Sequence, residues 1–455
     1  MKKYDVIVVG SGSGMLIVDE ATEHSLKVAL VDKGPLGGTC LNTGCIPSKM
    51  LIYPADRIVE IQEAKKLGIE AETRSIDSGF IMQRMRKSIH ESQSQMRQAL
   101  SQAENLDFYE GEGHFVGDYT IEVNGEKIKG ENIFLASGSR PFIPPIKGLD
   151  SVDYLTNETL LQLEELPDSL IIIGGGYIGV EFGHFFAAMG TKVTILEMME
   201  SLVPVEEPEI CELLKEQLRR RMDVYTDTQA EEIYQESGKV RVAVKDRNTD
   251  EKREFTAQRI LIAVGRRSNA DLLKLENTGV EIDGRGFIKV NQYLETGKKN
   301  IFAVGDANGQ QMFTHVANRE ALVAAQNMFH GADLKMDYNA IPHAVYSHPQ
   351  IASVGLTEAQ ARNDHDISVG RVKYLDVAKG EAMMEEEGFA KAIVEKDSRR
   401  ILGFHIIGPY APVLIQEVVN AMTSGGQIDE INEGIHIHPA LSELIQTTVN
   451  SLDQS

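Results

Sequence analysis

Ser169-Leu170-Ile171-Ile172-Ile173-Gly174-Gly175-Gly176-Tyr177-Ile178-Gly179 is the stretch whose reading decides the fold. Its apolar run suits a short strand buried on both faces of a parallel sheet. The glycines that follow fit G-x-G-x-x-G. Gly174 permits a tight turn, Gly176 lets backbone approach a pyrophosphate, and Gly179 lets a helix pack close to the strand. Beyond a helical stretch, Lys192-Val193-Thr194-Ile195-Leu196 reads as a second strand ending at Glu197. A carboxylate there accepts hydrogen bonds from a free ribose 2′-hydroxyl and repels a 2′-phosphate. No Arg or Lys lies between Glu197 and Glu212, so NAD is expected over NADP. Gly265 and Ala230 are further expected contacts of this nucleotide.

The same order of parts opens the chain. Tyr4-Asp5-Val6-Ile7-Val8-Val9 runs into Gly10-Ser11-Gly12-Ser13-Gly14, then a helical segment, then Lys27-Val28-Ala29-Leu30-Val31 and Asp32. Gly10 and Gly12 are placed as turn and pyrophosphate glycines, and Asp32 as the ribose acid. The third fingerprint glycine would fall at Met15. That substitution predicts a helix set slightly further from its strand. Two dinucleotide-binding units in one chain suggest two dinucleotides at one site, a hydride carrier and a bound flavin.

Between them lies Gly37-Gly38-Thr39-Cys40-Leu41-Asn42-Thr43-Gly44-Cys45-Ile46-Pro47-Ser48-Lys49. The chain has 3 cysteines, and two of them fall in this stretch. On a regular helix, residues five apart have Cα atoms roughly 8–9 Å apart. A disulfide needs less than about 7 Å. The segment around Gly44 must therefore depart from a regular helix if the two are paired. A redox pair, a structural disulfide and two separate buried thiols all remain open on spacing alone. Cys211 reads as an isolated thiol.

At 455 residues the chain exceeds one domain. No apolar run is long enough for a membrane-spanning helix. The N-terminus lacks signal-peptide character and three cysteines make no secreted scaffold, so a cytoplasmic protein is expected. A net charge of −22 disfavours nucleic acid and anionic membrane as partners. Arg219-Arg220-Arg221 reads as a solvated helix C-terminus. Met82, Met85, Ile89, Met96 and Leu100 recur at helical spacing and read as a core stripe. The chain from Tyr374 onward alternates as a strand would, and Leu414 to Met422 reads as an amphipathic helix.

Taken together, these segments resemble the FAD-dependent pyridine nucleotide–disulfide oxidoreductases of the dihydrolipoamide dehydrogenase and glutathione reductase type. The resemblance spans nearly the whole chain. Gly37 to Lys49 is similar to the family's redox-disulfide motif. Ile133 to Pro141 resembles the strand and turn closing the FAD domain, and Ala263-Val264-Gly265-Arg266 its NAD-domain counterpart. Asn300 to Asp306 resembles the segment whose aspartate holds the flavin ribityl chain. Tyr346 to Glu358 resembles the start of the dimerisation domain, and His436-Ile437-His438-Pro439-Ala440-Leu441-Ser442-Glu443 the C-terminal catalytic motif.

The implied fold is α/β, with two doubly wound dinucleotide-binding domains and a C-terminal α+β dimerisation domain. The implied division is 1–148 for FAD, completed by 268–335, then 149–267 for NAD and 336–455 for the interface. The resemblance makes Cys45 the thiol against the flavin and Cys40 the thiol that exchanges with substrate. It implies a base, His438, oriented by Glu443 and acting on the other subunit of an obligate homodimer. Lys49 is implied to pair with Glu181 beside the flavin. Gly10, Gly12, Gly14, Asp32, Lys33, Thr39, Gly113, Ser137, Gly138, Asp306 and Thr314 are the implied FAD cradle. His436 and His438 could alternatively begin a metal site, though no third ligand cluster is evident and no metal is expected.

Within the family, the His436–Pro439 segment and Glu197 look like dihydrolipoamide dehydrogenase. The segments Gly10–Asp19, His315–Asn318 and Tyr374–Ala378 look more like mycothione reductase. The expected activity is dihydrolipoamide:NAD oxidoreduction, with a lipoyl group as substrate. Reduction of another small disulfide is the alternative. A reading from another class is a non-catalytic flavoprotein subunit of a 2-oxoacid dehydrogenase assembly.

Overall fold

The computed structural model describes residues 1–452. It is a mixed α/β protein. Chain order begins β1 (Lys2–Val9), α1 (Gly14–Glu23), β2 (Val28–Asp32), α2 (Gly38–Asn42), α3 (Cys45–Glu63) and α4 (Ser78–Gln102). β3 (Leu106–Glu110), β4 (Gly113–Gly117), β5 (Thr120–Val123) and β6 (Glu126–Leu135) follow. The first sheet runs β3-β2-β1-β6-β5-β4, parallel among β3, β2, β1 and β6. Val6, Ile7 and Val8 are fully buried, as a strand covered on both faces requires.

Met15 stands where the fingerprint's third glycine would lie. Gly14 makes the close approach instead. A Cβ there would stand 2.8 Å from Val8 Cγ1 and 3.2 Å from the Ala136 Cβ. Met15 is half-buried and packs against the apolar cluster that includes Val6, Val8 and Ile17.

The second unit is reached through β7 (Ser139–Pro141). It contains β8 (Ser169–Ile173), α5 (Tyr177–Ala188), β9 (Lys192–Leu196), α6 (Pro208–Arg219) and β10 (Asp223–Tyr225). An antiparallel sheet of β11 (Thr228–Glu236), β12 (Lys239–Asp246) and β13 (Lys252–Ala257) precedes β14 (Arg259–Ile262). The parallel order is β10-β9-β8-β14. β15 (Arg266–Ser268) then pairs antiparallel with β7, Arg266 opposite Pro141. β16 (Ile301–Ala303) returns to the first sheet and pairs with the end of β6, and α7 (Thr314–His330) packs against α1.

The C-terminal part is an antiparallel sheet in the order β17 (Pro342–Val345), β18 (Ile351–Gly355), β21 (Ile401–Ile407), β20 (Phe389–Glu395) and β19 (Ile367–Lys373). Among it lie the short helices α8 (Glu358–Asp364) and α9 (Ala378–Ala382). α10 (Ala411–Ser424) covers the sheet through Ile415, Val418, Val419 and Ala421, in keeping with its amphipathic pattern. α11 (Asp429–Asn432) and α12 (Glu443–Asn450) complete the chain. Tyr374 does not begin a strand as its alternation suggested. Tyr374–Asp376 is a 3-10 turn leading into α9. The Asp376 carboxylate accepts from the Lys373 amide, and the buried Tyr374 hydroxyl donates to the Pro409 carbonyl. Met82, Met85, Ile89 and Leu100 are buried along α4, as the stripe predicted.

Arg221 corrects the reading of the basic run. α6 does end at Arg219, but Arg221 folds inward. Its guanidinium donates to His184 Nδ1 at 2.8 Å and to the His348 carbonyl. His184 is fully buried and its Nε2 meets Asp56 Oδ1 at 2.8 Å. Burial holds the imidazole down to about 4, so it stays neutral. Among the described residues no helix is long and apolar enough to cross a membrane.

Candidate active site

Both fingerprint loops are held by their acids in the same way. Asp32 Oδ2 accepts from the Ser11 amide at 2.5 Å and Oδ1 from the Gly34 amide at 2.7 Å. Glu197 Oε2 accepts from the Gly175 amide at 2.5 Å and Oε1 from the Met199 amide at 2.7 Å. Each strand also feeds its loop, since Gly10 N donates to the Val31 carbonyl and Gly174 N to the Leu196 carbonyl, both at 2.9 Å. The carboxylates thus stand where strand, loop and helix N-terminus meet, the place that accepts ribose and pyrophosphate groups.

A continuous cleft joins the two loops. Its lining includes Gly10, Gly12, Asp32, Lys33, Thr39, Cys40, Cys45, Lys49, Gly113, Ser137, Gly138, Asp306 and Thr314 on one side. Gly174, Gly176, Glu181, Glu197, Ala230 and Gly265 line the other. Gly14 and Gly179 stand outside it, against their own strands. A Cβ on Gly179 would stand 2.0 Å from the Gly174 carbonyl oxygen.

The cysteines sit on two helices separated by a break. α2 carries Cys40 and ends at Asn42, and α3 begins with Cys45 after Gly44, whose backbone lies far from helical (φ −132°, ψ −115°). Gly44 is packed against its neighbour, where a Cβ would stand 3.0 Å from the Thr39 carbonyl oxygen. All three cysteines are free thiols here. The Cys45 thiol is lowered to about 6, chiefly by the hydrogen bond from Cys40, with help from Thr314 and Lys49 and against the upward push of burial. Cys40 is driven far upward by that same bond and by burial. The pair therefore shares one proton, held on Cys40, with the thiolate on Cys45 at the N-terminus of α3.

Thr314 was expected in the flavin cradle. Its hydroxyl lies 3.2 Å from Cys45 Sγ, so it also serves the thiolate. Lys49 Nζ is 2.7 Å from Glu181 Oε2 and 4.2 Å from the centre of the Tyr346 ring. Glu181 is fixed from the far side by the Tyr346 amide, which donates to Oε1 at 3.0 Å. Tyr346 was not read as functional, since its amide and ring reach Glu181 and Lys49, both far away in the sequence. Asp306 accepts from the Ser139 hydroxyl, and Arg266 Nε donates to the same hydroxyl at 2.7 Å. These two partners belong to quoted closing segments, but nothing in their spacing points to Asp306.

His438 Nδ1 and Glu443 Oε1 are 2.8 Å apart, and Glu443 Oε2 accepts from the Ala440 amide at 2.9 Å. The His438 bond holds the Glu443 carboxyl below its usual range. The imidazole is 71% exposed and is not among the cleft-lining residues. His436 is engaged with Glu417 at 2.6 Å, and no metal cluster forms around His436 and His438 among the described residues. Cys211 is buried away from the cleft beneath the Val203 and Glu206 carbonyls, and burial pushes its thiol up to about 11.

The residues fit an FAD between the first loop and the cysteines. Acid, loop glycines and Asp306 line one continuous space, and the buried Ser137 hydroxyl in that lining has no protein partner. Ser11 Oγ accepts from the Gly37 amide at 3.0 Å, so the cysteine segment folds over the first loop.

A family model for the pyridine nucleotide-disulphide oxidoreductases matches residues 4–321, and one for the dimerisation domain of the same family matches 341–449. The chain is similar to mycothione reductase of Mycobacterium tuberculosis, 36% identical over 99% of this chain and 100% of the relative. It is 33% identical to dihydrolipoyl dehydrogenase 3 of Haloarcula marismortui, over 97% of this chain and 94% of the relative. Among solved structures, the HOCl-induced flavoprotein disulfide reductase of Escherichia coli in its Cu(II) complex superposes with a TM-score of 0.89 at 28% identity, over 99% of each chain.

Proposed function

This chain belongs to the pyridine nucleotide-disulphide oxidoreductases, FAD-binding and NAD(P)-dependent enzymes, and within them we propose that it oxidises dihydrolipoamide with NAD. The observation that carries the disulfide chemistry is the placement of Cys40 and Cys45, either side of the break at Gly44, in the cleft that joins the two nucleotide loops. When bound, FAD relays an electron pair between that cysteine pair and the nicotinamide.

The chain's own residues supply the rest. With the cysteines joined, His438 takes a proton from one substrate thiol, its Nδ1 being engaged by Glu443. The substrate thiolate attacks the Cys40 sulfur, the S–S bond breaks, and Cys45 leaves as the thiolate that Thr314 and Lys49 favour. The second substrate thiol attacks the substrate sulfur of the mixed disulfide and passes its proton to the departing Cys40, the first proton remaining on His438 until it leaves to solvent. Cys40 holds the proton it receives, consistent with its raised affinity. Substrate leaves as the cyclic disulfide, and two electrons remain on the cysteine pair.

Glu197 supports NAD over NADP. It is buried, both its oxygens point at backbone amides, and a 2′-phosphate would bring a second anion against it. The exposed His438 supports a homodimer in which His438 and Glu443 of one subunit serve the cysteine pair of the other. Ile435 and Ile437 beside it are fully and 76% exposed, an apolar pair that a second copy would cover. The proposed division into FAD, NAD and interface domains, and a cytoplasmic location, belong to this reading.

Identity to mycothione reductase favours a second reading, NAD(P)H-dependent reduction of a low-molecular-weight disulfide. Turnover of dihydrolipoamide with NAD, set beside reduction of small disulfides with NADH and NADPH, separates the two. Fast dihydrolipoamide oxidation is expected. Its absence beside fast disulfide reduction would reject the first reading, and no turnover in either direction would leave the non-catalytic subunit.

A further inference from the structure

The far ends of α1 and α7 bring together three metal-binding side chains. Glu20 and His24 sit at i and i+4, on one face of α1 and its C-terminal cap. His330 is the last residue of α7. One ligand atom from each lies within 4.8 Å of the others. His330 Nε2 is 2.6 Å from Glu20 Oε1, and the two imidazole rings meet edge to face with centroids 4.7 Å apart. His24 Nδ1 is 2.9 Å from the Glu20 carbonyl oxygen, a backbone contact of the kind that fixes a ligating histidine ring.

Two helix C-termini converge on this point, and their partial negative charge favours a cation. All three side chains remain reachable from solvent. The acidic trio Glu207, Glu209 and Glu358 differs in that Lys391 Nζ already sits 2.7–2.8 Å from each carboxylate. We propose that Glu20, His24 and His330 form a site for a borderline divalent transition metal such as zinc, tying α1 to α7. Two imidazoles and one carboxylate suit zinc, copper or nickel rather than magnesium or calcium. The helices so tied begin at the flavin cradle and at Thr314, so the site braces the cleft from its rear.

Zinc chloride titrated calorimetrically into the oxidised holoenzyme tests this. One equivalent is expected to bind the wild type and a Cys40→Ser/Cys45→Ser variant alike. Affinity falls at least about tenfold in His24→Gln and in His330→Asn, the scale on which metal-site contacts are lost. Zinc raises the melting temperature of the wild type but not of the histidine variants, whose flavin content and metal-free turnover stay at wild-type level. With copper(II) as probe, the wild type shows hyperfine coupling to two imidazole nitrogens, reduced to one in each histidine variant. The site is rejected if zinc does not bind, if it binds the histidine variants equally, or if binding disappears with the cysteines.

Discussion

The loops at Gly10 and Gly174 share one skeleton and differ in what covers them. Each has a buried strand, a carboxylate bonded to the loop amide and a glycine pressed against the strand. After Asp32 the chain turns back across its own loop. Ser11 receives the Gly37 amide, and a Cβ on Gly38 would stand 2.8 Å from the Gly12 Cα. After Glu197 it returns only as far as Gly175, whose carbonyl accepts from the Val203 amide at 2.9 Å, leaving Gly176 uncovered and Met198, Met199 and Val205 exposed on the lip of the cleft. Equal binding chemistry thus gives a closed berth beside the cysteines and an open one beside solvent. The first suits a resident cofactor, the second a nucleotide that must leave on every turnover.

The largest effect expected is at the covered end. Cys45→Ser should lower dihydrolipoamide turnover by roughly a thousandfold or more, as loss of a nucleophile or leaving group does, and remove long-wavelength absorbance on partial reduction. Coexpression with His438→Ala chains should restore activity, because one site of the mixed dimer regains both residues. No rescue would break the shared-site reading.

Covering itself is tested by two glycines. Gly38 has φ +61° and no room for a Cβ, so Gly38→Ala should yield protein depleted of flavin. Gly176 has nothing within 4 Å of a Cβ, so Gly176→Ala should keep its flavin and raise only the KM for NAD. Equal flavin content in the two variants would undo the contrast.

Glu197→Arg should shift the NADH/NADPH preference toward NADPH by about tenfold, on the scale of 1.4 kcal/mol. An unchanged ratio would remove Glu197 from nucleotide choice. Smaller still is a shift in titration. The Cys45 thiolate band of reduced enzyme should persist at neutral pH and fade as pH drops through about 6, because the group is lowered and protonates only below that point. Lys49→Met removes a nearby cation and leaves the Glu181 carboxylate unpaired, so the midpoint should move upward. Cys211→Ser, buried behind the open unit, should change neither the band nor turnover.

What the sequence made legible was local. Both fingerprints, the acids at their strand ends and the break at Gly44 depend on residues close in the chain, and their spacing is enough. The close contact at Gly14 was not legible at Met15's position, because only the approach of Val8 and Ala136 reveals it. Arg221 misled because its partners, His184 and His348, are distant in sequence and carry no periodic signal. Lys391 among Glu207, Glu209 and Glu358 was invisible for the same reason. Tyr374 alternates like a strand, yet side-chain bonds to the turn outweighed that pattern.

The pairing of β7 with β15 makes the second unit an inserted cassette. Its chain enters and leaves at neighbouring positions, Pro141 opposite Arg266. The first sheet closes with β16 without any strand from between those points. A lineage could therefore exchange one nicotinamide-binding unit for another by replacing everything between two facing residues, keeping Cys40, Cys45 and the first loop, provided the newcomer again supplies a carboxylate to Lys49 in place of Glu181.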